Sequence, residues 1–219
     1  MTVKATIKEI IVEEFSKLTK LIEDDFATNY KRKVNNFLLS QMDEQITASM
    51  VFVSSFESKS GFAIETCAKR IARLKFGEEN VPAIVNPRGL KHNIPAPVSG
   101  QIVVTDVDTH NGNLRGQIAA FRANNEACGR GQNRVDSGVT QTSIREELFP
   151  LAEKYRTETI YSKPVDLAFF DGERWNIMEL KAGGDLDSSN APSNVEKLLT
   201  IYVDMGIKDC NTYFATLYN

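Results

Sequence analysis

The chain has 219 residues, room for one domain with a helical elaboration, and its 42% hydrophobic and 25% charged content is ordinary for a soluble globular protein. A net charge of −3 excludes a protein that holds polyanions by overall basic charge, while leaving room for a local basic groove. No apolar run approaches the ~18 residues needed to cross a bilayer, and the charged stretch from Met1 to Glu14 has no signal-peptide apolar core, so no membrane partner is expected.

Cys67, Cys128 and Cys210 show neither metal nor disulfide spacing. Such a scattered, odd set fits a reducing cytoplasm, with each cysteine a small core residue. His92 and His110 are the only histidines, which argues against a histidine-rich zinc site and makes both loop residues.

Ile7, Ile10, Ile11, Phe15, Leu18, Leu21, Ile22 and Phe26 recur at steps of three and four, predicting a long amphipathic helix. A shorter helix is predicted around Val34, Phe37, Leu38 and Met42, with Lys31-Arg32-Lys33 between the two as a solvated helix end or a phosphate contact. Residues 45–56 have an ambiguous period. Ser60-Gly61 then opens a helix to about Phe76, stopped by Gly77. These signals divide the chain into an N-terminal helical region, 1–58, and a second region, 59–219.

Residues 79–99 carry Pro82, Pro87, Pro95 and Pro97 and read as a structured loop. Residues 101–105 and 116–121 read as strands around a turn-rich segment. Beyond them Arg122, Asn124, Asn125, Arg130, Gln132 and Arg134 gather among glycines with few competing acids; Arg115 and Gln117 lie on the preceding predicted strand. Ser143-Ile144-Arg145-Glu146 predicts a capping box for a helix to about Tyr155, with a kink or break at Pro150.

Residues 165–170 and 174–181 read as paired antiparallel strands joined at Asp171-Gly172, both of which suit a type I′ turn. The period of two puts Trp175, Ile177, Glu179 and Lys181 on one face, with Asp166 beside Glu179 across the hairpin. Two carboxylates and an ammonium on one sheet face are costly unless each finds a partner. A hard cation such as Mg²⁺ answers the acids, and a phosphate with its attacking water answers the lysine, which suits metal-assisted phosphodiester hydrolysis. Ser193-Asn194-Val195-Glu196 predicts a second capping box, Gly206 closes that helix, and a strand follows over 212–218.

Pro164, Asp166, Glu179 and Lys181 resemble the signature of the PD-(D/E)xK nuclease superfamily. The sequence from Glu179 to Asp187, Glu-Leu-Lys-Ala-Gly-Gly-Asp-Leu-Asp, and the later Tyr213-Phe214-Ala215-Thr216 look like the C-terminal half of TdeIII-type restriction endonucleases. The resemblance covers roughly the last sixty residues. It implies an α/β fold with a restriction-endonuclease-like core, a mixed central sheet flanked by helices, behind an N-terminal helical elaboration. It further implies a type II restriction endonuclease that cuts double-stranded DNA at a short palindromic, GGNCC-like site, works as a homodimer, and has a cognate methyltransferase. Asp166, Glu179 and the Leu180 carbonyl would bind Mg²⁺, and Lys181 would handle the water. Glu65 either faces that site or is an exposed first-turn acid. Asp185 and Asp187 suit turn hydrogen bonds better than ligation. The Arg/Asn/Gln cluster is the expected base-reading surface, because Arg pairs with guanine and Asn or Gln with adenine; a polar surface loop is the plainer reading. The rivals are a structure-directed repair or phage nuclease, and a non-catalytic DNA- or protein-binding module on the same fold.

Overall fold

The computed structural model describes residues 3–129, 131–181 and 191–216. Its contacts separate two units, Met1–Ile71 and Ala72–Asn219, with the division falling inside a helix.

The first unit is helical. Helix α1 spans Val3–Val34 and buries Ile10, Leu18 and Ile22 of the predicted apolar stripe, with Glu14 completing the same row at four-residue steps. Lys31, Arg32 and Lys33 form its last turn, where cations complement the helix dipole. The short second helix expected near Val34 is absent: only a 3₁₀ turn, Leu39–Gln41, occurs there, and Phe37 and Leu38 are exposed. With no core to face, that apolar quartet gains nothing from helical order. Helix α2 runs unbroken over Glu44–Phe76, so Ser60-Gly61 is helix interior and not a start. Sixteen residues of helix precede the pair, and tertiary packing offsets the roughly 1 kcal/mol penalty of a mid-helix glycine. Arg70 clamps the buried Glu14, at 2.5 Å, and Glu13, at 2.8 Å. The predicted stop holds: Gly77 has φ +90° and donates its N–H to Arg73 O.

The second unit is mixed α/β, with two small mixed sheets. The first contains β1 (Ile84–Val85), β2 (Gln101–Val107) and β3 (Arg156–Val165), with β1 parallel and β3 antiparallel to β2. The second contains β4 (Leu167–Phe170), β5 (Trp175–Lys181) and β6 (Cys210–Thr216), with β4 antiparallel and β6 parallel to β5. Helix α3 spans Gly112–Asn125, and α4 (Gln141–Ser143), a π-helical turn (Ile144–Leu148) and α5 (Phe149–Lys154) follow one another directly. Helix α6 spans Ala191–Met205. The core of Val103, Leu114, Ile118, Leu148, Ile177 and Leu199 draws on both sheets, α3, α6 and the π-helical turn.

Three local expectations are corrected, while the predicted interruption near Pro150 holds. Residues 116–121 are helical, because Asn111 caps α3 by accepting from Asn113 N and Leu114 N, and Leu114, Ile118 and Phe121 all face inward. The cap before α4 is Thr140, reciprocated by Ser143; Ser143-Glu146 is therefore not the box. Pro150 sits in the first turn of α5 after the π-helical turn, where its missing N–H costs no helical bond. Helix α6 begins before Ser193, so Ser193-Glu196 lies inside it, and Glu196 instead accepts from Arg122 Nε at 2.9 Å. Cys67 and Cys210 are buried as expected, whereas Cys128 is exposed.

Candidate functional site

The hairpin between β4 and β5 exists, but its turn differs from the expected type. Phe170 pairs with Trp175, leaving four loop residues, and only Gly172 has positive φ, which excludes type I′. Asp171 holds the loop instead: Oδ1 accepts from Glu173 N and Arg174 N, and Oδ2 from Asn176. Those donors, Arg174 N foremost, hold the Asp171 carboxyl below its ordinary value.

Val165 ends β3 and Leu167 begins β4, so Asp166 stands at the bend between the two sheets. The bend has a physical cause two residues on. Gln101, paired to Val165 through the β2–β3 ladder, turns its side-chain amide to Ala168, accepting from its N–H at 3.0 Å and donating to its carbonyl at 2.9 Å. One side chain thus takes the place of a strand partner and ties the sheets together. Phe76 closes the same corner, stacking on Phe169 with centroids 4.5 Å apart.

Leu167 pairs with Met178, and continuing that register sets Asp166 opposite Glu179. Asp166 Oδ2 accepts from Leu180 N at 2.9 Å, which fixes the carboxylate on the strand and leaves Oδ1 toward Lys197, 3.5 Å away. Glu179 is 0% exposed. Lys181 Nζ lies 2.9 Å from its Oε1, while Lys197 Nζ from α6 lies 2.8 Å from Oε1 and 2.7 Å from Oε2. Oε2 nonetheless receives no hydrogen bond of good geometry. The side chains of Lys181 and Lys197 are 37% and 44% exposed, so the cluster has a buried acid end and an open basic end. Partial burial opposes the charge on Lys197, but the hydrogen bond to Glu179 and the attraction of Asp166 and Glu179 outweigh it and raise its pKa.

Lys197 is the residue that sequence reasoning missed. Its signal was available: Ser193, Lys197, Thr200 and Asp204 recur at steps of four, three and four, a polar stripe on an otherwise apolar helix.

The remaining candidates are dispersed. Glu65 lies on α2 in the first unit, 3.6 Å from Lys69 Nζ. Arg115 and Gln117 are on α3, not on a strand; Gln117 donates to Tyr155 Oη at 2.6 Å. Arg122 is held by Glu126 and Glu196, and Asn125 donates to Phe121 O, so both have structural partners. Asn124, Gln132 and Arg134 are exposed. Arg130, Asp185 and Asp187 lie outside the described residues. The loop is closed by Cys128 and Val135, which exchange backbone hydrogen bonds of 3.1 and 2.7 Å.

Among the described residues no three His, Cys, Asp or Glu side chains converge as a metal cage. Asp166 and Glu179 alone still fit Mg²⁺, which is held through one or two carboxylates with waters and substrate phosphate. The under-bonded, buried Oε2 is the donor such an ion would use. No helix among the described residues is long and apolar enough to cross a membrane. Comparison with protein-family models, curated proteins and solved structures finds no match to the chain.

Proposed function

We propose that the protein is a Mg²⁺-dependent endonuclease of the PD-(D/E)xK type that cuts double-stranded DNA, acting as a type II restriction enzyme. The observation that carries this reading is Glu179: a carboxylate buried completely, beside Asp166, with two lysines at its open edge. Burying a charge costs several kcal/mol that an apolar residue of similar size would not, so the acid is better explained by a task than by stability.

In this reading Asp166, Glu179 and the Leu180 carbonyl hold Mg²⁺, which when bound polarises the phosphoryl oxygen and acidifies a coordinated water. Lys181 orients the attacking water or takes its proton, and its charge offsets the negative charge growing on phosphorus. Lys197 supplies a second ammonium at the same edge and pairs with Glu179. The succession β4, β5, α6, β6 agrees with a restriction-endonuclease-like core. Reading a short palindrome, GGNCC-like by resemblance, calls for a two-fold homodimer. The exposed apolar side chains Phe37, Leu38, Met42 and Ile46 agree with that state. A cytoplasmic setting and a protecting methyltransferase follow from the same reading.

The test is digestion of unmethylated phage DNA with and without Mg²⁺, alongside Lys181→Ala and Glu179→Gln, with sedimentation to give the oligomeric state. Discrete Mg²⁺-dependent fragments, absent in both variants, are expected. A smear indicates a nonspecific or structure-directed nuclease, and DNA left intact in every condition overturns the proposal.

A further inference from the structure

Beside the acid pair lies a cleft of about 410 Å³, lined by Thr109, Arg115, Lys163, Lys197, Thr200 and Asp204 among others. Three elements meet there: the corner between β2 and α3, the end of β3, and the polar stripe of α6. Lys197 belongs to both places, touching Asp166 and Glu179 while lining the cleft.

Lys197 is paired with those acids, whereas Arg115 and Lys163 form no ion pair among the described residues. His110 stands between the latter two, with Arg115 Nη2 at 3.1 Å from Nδ1 and Lys163 Nζ at 2.8 Å from Nε2. A neutral imidazole has one acceptor nitrogen, and the other carries a proton. At most one of these contacts is therefore a hydrogen bond, and the other sets donor against donor. No acid among the described residues forms an ion pair with Arg115 or Lys163. Asp204 attracts Lys163 through space without forming an ion pair with it. Asp204 is buried and accepts from Thr109 Oγ1 at 3.0 Å, and burial raises its pKa to about 7. Glu196 is engaged by Arg122. The volume falls within the range of about 300–1,000 Å³ typical of small-molecule sites, which suits a phosphorylated nucleotide unit better than a lone ion.

We infer that this cleft binds a phosphate ester through Arg115, Lys163 and Lys197, and that in the nuclease it seats a backbone phosphate neighbouring the one that is cut. The identity of the occupant as DNA rests on the proposed function; the phosphate chemistry does not. Lys197 then couples the two positions, since a phosphate in the cleft draws its ammonium from Glu179 and frees the acid for Mg²⁺.

The test measures binding of a fluorescent DNA duplex by anisotropy in EDTA across a salt series, for the wild type, Arg115→Ala, Lys163→Ala and the double variant. ³¹P NMR of a deoxynucleoside monophosphate is recorded on the same proteins. Each single variant should weaken binding about 5- to 10-fold and lower the salt slope by about one. Among the described residues the Lys163 side chain donates to no backbone oxygen, so its variant keeps the test readable if Arg115→Ala, which loses a bond to Thr109 O, fails to fold. Unchanged affinity and slope in Lys163→Ala overturn the cleft while leaving the nuclease reading intact. If the wild type ignores DNA but broadens the phosphate resonance, and the double variant does not, the phosphate site stands and the nuclease reading falls. A wild type that binds neither overturns the inference.

Discussion

The side-chain amide of Gln101 does for Ala168 what a neighbouring strand would do, satisfying both its buried N–H and its buried carbonyl. It also donates to Pro82 O at 2.7 Å, so three segments meet at one residue. Because Asp166 lies between Val165, which Gln101 faces in the ladder, and Ala168, this brace sets where the Asp166 carboxylate points.

Loss of that brace should therefore affect stability and site together. Each buried backbone group left unpaired costs about 1–3 kcal/mol, so Gln101→Ala should lose about 2–4 kcal/mol in urea unfolding. Gln101→Met keeps most of the volume and should lose nearly as much, which separates hydrogen bonding from packing. If Gln101→Met unfolds at the wild-type urea concentration, the amide is not what joins the sheets.

Lys197 and Glu179 make a second strong expectation. Lys197→Met leaves Glu179 with Lys181 as its only close cation among the described residues and should cost about 1–3 kcal/mol, the value of a charge-assisted hydrogen bond. Adding Glu179→Leu removes the orphaned charge, so the double variant should be more stable than Lys197→Met alone, a non-additivity measured by a double-mutant cycle. The pH dependence has a definite sign. Because the pKa of Lys197 is raised above 10.5, its stabilisation is complete below that value and is lost as pH rises through the higher folded value. Equal losses at neutral and strongly alkaline pH would contradict the pairing.

How far the sequence carries depends on the distance over which each feature is specified. The β4–β5 hairpin, the stop at Gly77 and the end of α6 at Gly206 are legible because a few adjacent residues determine them. The side-chain alternation of β5 is legible for the same reason. Residues 116–121 are not, since a short apolar run fits a buried helix as well as a strand, and the deciding signal is the Asn111 cap upstream. The bend at Asp166 depends on Gln101, far away in sequence, and nothing local announces it. Lys197 reaches Glu179 only because α6 packs over β5, a tertiary fact that the motif spacing does not contain.

The loop around Gly129 gives a sharper backbone test. Gly129 has φ +78°, and a Cβ there would stand 2.1 Å from Asn133 O, a backbone atom that cannot swing away. Gly129→Ala should break the Cys128–Val135 bridge and cost about 1–3 kcal/mol. Hydrogen exchange at the Val135 amide should accelerate in the variant. Wild-type protection at that amide would show that the bridge does not need the glycine.

Asp204 gives the clearest pH dependence. Burial raises its pKa to about 7 from an ordinary 3.8, against the opposing donor on Thr109 and the charge of Lys163. Between those values the folded chain binds a proton that the unfolded chain has released, so stability falls as pH rises. The full contribution is present below 3.8 and is lost by the time pH has passed about 7. A shift of this size corresponds to about 4 kcal/mol. Asp204→Asn has no proton to lose and its amide oxygen can still accept from Thr109, so its urea midpoint should change less than the wild type's over that interval. Parallel midpoint curves for the two proteins would mean that Asp204 is already ionised in the folded chain, with Lys163 its counter-ion.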